Sequence, residues 1–256
     1  MEIRLFLTAV MFYTRIPCPS WVGYSEDQLN RSTRYFPLIG WIVGSFVSLV
    51  IYGALWLFPP TVAVILGLGL GVLLTGSFHE DGFADFCDGF GGGTTAEGTL
   101  AIMKDSRVGT YAVVSLIMLL GLKFFAVVSL VESGSWFAAL VFAHVASRWC
   151  VTTIIFKDEY ARADATSKVK PIGRKISKGG LALATFWLLL TALLFLGNPT
   201  RLWCLTTLIP AFLIRVLLAA WFRRRLGGYT GDCLGAAQQI IEVGILLAIL
   251  ALARFI

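Results

Sequence analysis

The chain has 256 residues, 57% of them hydrophobic and only 14% charged, with a mean hydropathy of +0.81 and a net charge of +6. A soluble domain carries about 25% charged residues, and a chain this apolar cannot cover its surface in water. The solvent is therefore lipid, and an ordinary soluble enzyme is excluded.

A spanning helix needs roughly 20 apolar residues. The first apolar run, Ile3–Ile16, is short and ends at Arg15 and Pro17; a tilted span, a re-entrant piece and an interfacial helix all fit it. Seven further runs are predicted to span: Phe36–Phe58, Thr61–Phe78, Thr110–Val131, Trp136–Phe156, Leu181–Gly197, Arg201–Phe222 and Gln239–Ile256. Short connectors (Pro59-Pro60, Glu132–Ser135, Asn198–Thr200) alternate with long ones at 17–35, 79–109, 157–180 and 223–238. The long set carries 14 of the 21 Lys and Arg residues, and the short set none. The segment 157–180 alone holds Lys157, Arg162, Lys168, Lys170, Arg174, Lys175 and Lys178. Cations gather on the cytoplasmic side of membrane proteins, so the long loops are predicted to be cytoplasmic. Because the cations follow the topology, they orient the chain and attract anionic headgroups; no nucleic-acid partner is inferred. A polyanionic substrate is the sharper reading of the same loop.

The five cysteines (Cys18, Cys87, Cys150, Cys204, Cys233) form no CxxC pair and are odd in number, which reads as reduced thiols. The start, Met1-Glu2-Ile3-Arg4, lacks the basic region of a cleavable signal. Gly67, Gly69 and Gly71 in one span suggest close helix packing. The expected fold is all-α: one integral membrane domain over residues 1–256, a polytopic bundle of about seven spans plus an N-terminal short or re-entrant helix.

The informative stretch runs from His79 to Phe90, followed by Gly91-Gly92-Gly93. Asp81, Asp85 and Asp88 are spaced i, i+4, i+7, which places them within roughly 60° of one helical face. Carboxylates that close repel one another unless a cation sits among them or their pKa values rise. Oxygen ligands of this type suit Mg2+, which keeps waters and bridges to substrate phosphates. Glu80 in the same turn is a further candidate ligand. Gly82 and Gly89 on or near the stripe would leave a ligand room to reach the backbone, and His79 is a candidate base. A merely solvated acidic face is disfavoured because the acids fall on one stripe.

Downstream, Lys104 and Arg107 share a face if their stretch is helical and suit phosphate contact. Asp105 is a candidate fourth ligand. A rim of interfacial cations is the plain alternative. The stretch Gly227-Gly228-Tyr229-Thr230-Gly231-Asp232 offers backbone amides to anions but matches no Walker signature. Lys123, His144, Arg148, Arg215 and Glu242 fall within spans, where ionisable residues face the bundle interior and pair or serve function.

Several separated pieces resemble the adenosylcobinamide-GDP ribazoletransferase (cobalamin synthase) family. They are Thr14-Arg15-Ile16-Pro17 with Pro19, Phe36-Pro37-Leu38-Ile39-Gly40, His79-x-Asp81-Gly82-x-Ala84-Asp85-x-x-Asp88-Gly89, Met103-Lys104-Asp105-Ser106-Arg107-x-Gly109, and Gly227-Gly228-x-Thr230-Gly231-Asp232-x-Leu234-Gly235-Ala236. They come in the family's order, and Phe83 stands where many members carry Leu. The resemblance implies a late step of cobalamin biosynthesis, the assembly of the nucleotide loop. A ribose hydroxyl of α-ribazole, or of its 5′-phosphate, attacks the cobinamide-side phosphorus of adenosylcobinamide-GDP, and GMP leaves. It further implies Mg2+ on Asp81, Asp85 and Asp88 with Glu80 beside them, and Lys104 and Arg107 as charge-neutralising groups. A cluster carboxylate or His79 would take the proton. Arg15, Asp105, Ser106, Gly228, Thr230, Gly231 and Asp232 would contact substrate. The expected location is a cell inner membrane with the site facing the cytoplasm, as a homo-oligomer or in complex with other nucleotide-loop enzymes.

Two rivals are weighed against it. CDP-alcohol-type phosphotransferases share Asp85-x-x-Asp88-Gly89, but Gly91-Gly92 stands where that family has Ala-Arg, and no later aspartate pair follows. A transporter would show internal repeats and a mid-membrane site; the chain has no repeat.

Overall fold

A computed structural model describes residues 1–161, 175–195 and 205–253. Arg162, Lys168, Lys170, Arg174, the connector Asn198–Thr200, Arg201 and Cys204 lie outside the described residues. The described chain is all-α apart from one isolated parallel bridge between Tyr160 and Tyr229.

The first apolar run forms α1, Glu2–Tyr13. Its 12 residues span about 18 Å, too little for a hydrocarbon core. It buries Leu5, Ala9, Val10 and Tyr13 against the bundle. Helix α2 (Glu26–Ser32) opens at Ser25, whose hydroxyl accepts from Gln28 N, and runs through a 3₁₀ turn at Thr33–Tyr35 into α3 (Phe36–Ala54). Pro37 is tolerated because it stands in the first turn of α3.

Helix α4 (Pro60–Thr75) ends at Gly76, and α5 (Phe78–Gly92) leaves at 87° to it. Gly76 and Ser77 make that corner, both left-handed, with φ of 63° and 58°. For a serine this conformation costs roughly 1–2 kcal/mol, so the bend is held by its surroundings. Short α6 (Ala96–Ile102) is capped by Thr95. Then follow α7 (Thr110–Glu132), α8 (Trp136–Lys157), α9 (Lys178–Leu194), α10 (Leu208–Leu226) and α11 (Gly231–Ala253).

Helix α8 is the axis of the bundle. It is buried on every face, as an all-round apolar helix should be. Gly40 and Gly44 bring α3 against its backbone, so that a Cβ at Gly44 would stand 2.9 Å from Val141 Cα. Leu49, Leu73, Ile117, Phe125, Ile209 and Leu217 point outward. An apolar exterior of that kind belongs in lipid.

Among the described residues, four stretches are long and apolar enough to cross a membrane: Glu26–Ala54, Thr110–Glu132, Trp136–Lys157 and Gly231–Ala253; the bent α4–α5 pair makes a fifth if counted as one broken span. The chain is thus a multi-pass membrane protein by its described helices. The expected span Thr61–Phe78 stops at Thr75, because the chain turns at Gly76. The run Leu181–Gly197 yields the 17-residue α9. The run Arg201–Phe222 yields α10, whose charged end carries Arg223, Arg224 and Arg225. The last span begins eight residues earlier than expected, at Gly231 rather than Gln239. The segment 79–109, expected as a loop, is mostly helical, containing α5 and α6.

Candidate active site

The acidic stretch is helix α5, and it crosses the start of α11 through two glycines. A Cβ at Gly82 would stand 3.1 Å from Asp232 Cα and 3.4 Å from Gly235 Cα; one at Gly235 would stand 3.2 Å from His79 O. Contact through small residues lets two backbones approach this closely. It brings the acidic motif and the second glycine motif, about 150 residues apart in sequence, to one place. Gly82 and Gly89 do not open the backbone to a ligand: Gly82 is closed by α11, and Gly89 by Met103 and Thr99 of the α6 segment.

The acids of α5 separate by face. Asp81 is exposed and Asp85 half-buried, and by helical spacing both lie on one flank of Gly82, which packs on the Asp232 backbone. Asp88 is committed elsewhere. Its Oδ2 accepts from Gly109 N at 2.6 Å and its Oδ1 from Ala112 N at 2.9 Å. It thereby caps α7, where a negative charge meets the positive helix end. Glu80 and His79 face the opposite way. Glu80 Oε1 accepts from Gln239 Nε2 at 2.9 Å. The His79 ring stacks on Phe36 at 5.8 Å and meets the edge of Phe78 at 5.4 Å. Among the described residues, no group of three or more His, Cys, Asp or Glu side chains converges as a ready metal site.

Lys104, Ser106 and Arg107 are exposed, in the turn between α6 and α7 rather than on a helix. Arg107 donates from Nη2 to Asp105 Oδ2 at 2.6 Å and from its backbone N to Oδ1 at 3.1 Å. The Arg107 side chain, with its amide, holds the Asp105 carboxyl down to about 2. Arg15 donates its backbone N to Leu74 O at 2.7 Å, and its guanidinium lies over Gly76, at the α4–α5 corner.

In the second glycine motif, Gly228 packs on Glu159 O, with no room for a side chain. Tyr229 N donates to Glu159 O at 3.0 Å, and Tyr229 O accepts from Ala161 N at 2.9 Å. Burial pushes the Tyr229 phenol up. Thr230 is fully buried and caps α11, its hydroxyl accepting from Cys233 N at 3.3 Å. Gly231 has open space where a Cβ would stand, and Asp232 is half-buried in the first turn.

The ionisable residues within the spans find partners that sequence alone did not supply. Glu242 of α11 receives Lys123 Nζ of α7 at 2.5 Å, His144 Nδ1 of α8 at 2.8 Å and Gln238 Nε2 at 2.5 Å, with Arg148 Nη1 at 3.5 Å. Arg148 also lies over the Phe36 ring at 5.5 Å. Arg215 donates to Thr153 Oγ1 at 2.9 Å and pairs with Asp158 at 3.3 Å, tying α10 to the end of α8. Arg223 completes that pair on Asp158. The sequence signal for Gln239 was its i, i+3 spacing to Glu242, which puts both on one face of α11.

Chemically, the outward face of α5 offers two carboxylates at i, i+4 beside a third residue, Asp232, at a helix start. Cations of the 104–107 turn stand on the next segment.

The cobalamin-5-phosphate synthase family model matches residues 5–250. An adenosylcobinamide-GDP ribazoletransferase of Shewanella frigidimarina is 44% identical over 252 residues, covering 98% of this chain and 95% of the relative. Relatives of the same name from Shewanella amazonensis and Vibrio parahaemolyticus are 45% identical over 253 residues and 42% over 250, covering 98% of this chain and 96% and 93% of theirs. No solved structure matches the chain. With a match this long on both sides, and with the acidic and glycine motifs joined at one helix crossing, the chain belongs to the cobalamin-5-phosphate synthase family.

Proposed function

We propose that the chain is an adenosylcobinamide-GDP ribazoletransferase. It joins adenosylcobinamide-GDP to α-ribazole, or to its 5′-phosphate, and releases GMP. The observation that carries this reading is the identity of 44% over nearly the whole length of a relative of that name.

The residues divide the work as follows. The ribose hydroxyl oxygen bonds to the cobinamide-side phosphorus while the bond from that phosphorus to the oxygen of GMP breaks. The hydroxyl proton passes to a carboxylate of the outward pair, Asp81 or Asp85. His79 is not the acceptor in this reading, since its ring is packed against Phe36 on the other face. Phosphoryl transfer is mainly positioning and charge neutralisation. Lys104 and Arg107 neutralise phosphate charge, with Arg107 reaching substrate by exchanging Asp105 for a phosphate oxygen. The N-terminus of α11, held by Thr230, directs its amides and Asp232 to the same space.

Asp81 and Asp85 fit magnesium, because that ion is commonly held by one or two carboxylates plus substrate phosphates. Magnesium there would offset the charge of the pyrophosphate and of the departing GMP. Asp88 and Glu80 are left out of this ligand set because their oxygens serve α7 and Gln239.

The same reading includes one integral membrane domain with about seven spans, long loops and active site on the cytoplasmic side of an inner membrane. It also includes contact with a second copy or with other nucleotide-loop enzymes; loss of co-purification in mild detergent would count against a stable complex. The decisive assay is GMP release in detergent or liposomes from adenosylcobinamide-GDP, α-ribazole 5′-phosphate and magnesium. Intact protein should give GMP and a corrinoid product, and Asp85→Asn should not. Absence of GMP from folded protein would overturn the reading and direct attention to CDP-alcohol substrates.

A further inference from the structure

Behind the acidic helix lies a cavity of about 120 Å³. One wall is apolar, built from α3, α4 and α7 by residues such as Val47, Leu68 and Phe124. The other wall is polar, built by His79 and Glu80 of α5, Arg148 of α8 and Gln239 of α11. On that wall Glu80 Oε2, His79 Nε2, Gln239 Oε1 and Arg148 Nε are buried and have no hydrogen-bond partner among the described residues. The four residues are 9%, 2%, 2% and 1% exposed.

Unpartnered buried polar groups are costly, so the chemistry of the guest can be read from what they need. Acceptors (Glu80, Gln239) and a donor (Arg148) both stand unpartnered. Of the charged residues, Glu80, Lys123 and Arg148 line the cavity, and Glu242 stands behind them, answering Lys123 and Arg148. A bare anion would meet the Glu80 carboxylate and the unpartnered Gln239 oxygen, and a bare cation would meet Lys123 and Arg148. Water donates and accepts, and at about 30 Å³ per molecule the space holds about four.

We propose that this cavity is a water-binding site and that Glu80 is a positioning residue for the reaction. Waters complete the hydrogen bonds of Glu80, His79 and Gln239. The Glu80–Gln239 bond then keys α5 to the charge cluster around Glu242, which sets Asp81 and Asp85 in register beside Asp232. Glu80 acts through its neighbours and touches no substrate. The positioning role rests on the transferase reading; the water site does not.

The test uses the full chain in detergent, with GMP release, magnesium titration and thermal melting measured together. Glu80→Leu should lower kcat roughly tenfold or more, as expected for a small misplacement of reacting groups. The magnesium concentration for half-activity should stay within about twofold, because the outward pair is untouched. The exchange Glu80→Gln with Gln239→Glu keeps an amide facing a carboxylate and should restore kcat and melting temperature together. If the exchange stays slow and its magnesium requirement rises as in Asp85→Asn, Glu80 is a metal ligand and the proposal fails. Full kcat in Glu80→Leu would also overturn the positioning role.

Hydration is read without catalysis by X-ray hydroxyl-radical footprinting, which oxidises side chains next to bound water. Phe124 on the cavity should be modified more than its lipid-facing neighbour Phe125, and this excess should vanish in Glu80→Leu. Equal modification of the two rings would overturn the water site. Intact protein that releases no GMP but shows the Phe124 excess would sink the transferase reading alone.

Discussion

Two faces of α5 carry ionisable side chains and use them in opposite ways. On one face Asp81 is exposed and Asp85 half-buried, next to the crossing of Gly82 over the Asp232 backbone. On the other, Glu80 turns into the bundle toward Gln239 and the cluster in which Glu242 meets Lys123, His144, Arg148 and Gln238. Charges in the second region answer one another at 2.5 to 3.5 Å. Charge inside the bundle is thus closed on named partners, whereas the acids of α5 next to the Gly82 crossing lie toward the surface. Asp88 shows the boundary: it belongs to the outward stripe by spacing, yet its two oxygens close the end of α7.

The largest effect should come from breaking the inner set. Glu242→Leu leaves Lys123 and Arg148 facing each other without their carboxylate, and loss of one partner from a buried pair costs about 3–5 kcal/mol. Thermal melting in detergent should show it, and Lys123→Met added to Glu242→Leu should recover part of the loss. Unchanged melting in the single variant would mean that the cluster does not hold the helices together.

Asp85→Asn attacks the outer set and should do the reverse. GMP release should fall about 100- to 1,000-fold, the range for removing one charge-stabilising group, with melting little changed. A variant that loses stability in step with activity would erase the contrast between the faces.

Gly82→Ala strikes the junction itself. Its Cβ would meet Asp232 Cα at 3.1 Å, with backbone rather than a yielding side chain in the way. About 1–3 kcal/mol of overpacking is expected, and activity and melting should fall together. Thr230→Ala removes the cap of α11 and should cost about 1 kcal/mol.

The smallest effect concerns the exposed Asp105–Arg107 pair. The folded carboxyl is held down to about 2 from 3.8. Its contribution is therefore present above the unfolded value and is lost only as pH falls toward about 2. Carboxylate chemical shifts should show Asp105 still ionised at pH 3, and Asp105→Ala should leave melting unchanged because exposed pairs contribute little.

Much of the outer site was legible because it is local. Asp81 and Asp85 recur at helical spacing, and the same wheel puts His79 about 200° from Asp81, so its absence from the outward face follows from the spacing. The capping of α7 by Asp88 had no local signature: the amides it accepts belong to Gly109 and Ala112, beyond a whole intervening helix. The bend at Gly76 and Ser77 was hidden inside an apolar run, since hydropathy is blind to backbone direction. For Lys123, Arg148 and Glu242, burial in the bundle followed from the cost of charge in lipid. Their mutual partners did not, because the register between α7, α8 and α11 is a tertiary fact. Lys104 and Arg107 would share a face only on a helix; they follow the end of α6 at Ile102, where helical spacing no longer applies.

The parallel bridge between Tyr160 and Tyr229 has a mechanical consequence. Its two backbone bonds splint the exit of α8 to the entrance of α11. About 16 Å further along α11, by helical rise, Glu242 fastens the same two helices again through His144 and Arg148. A rod attached at one height can still swivel, but a rod attached at two heights cannot. Helix α11 is therefore held against rotation about its long axis, with the Asp232 backbone set against Gly82 of α5.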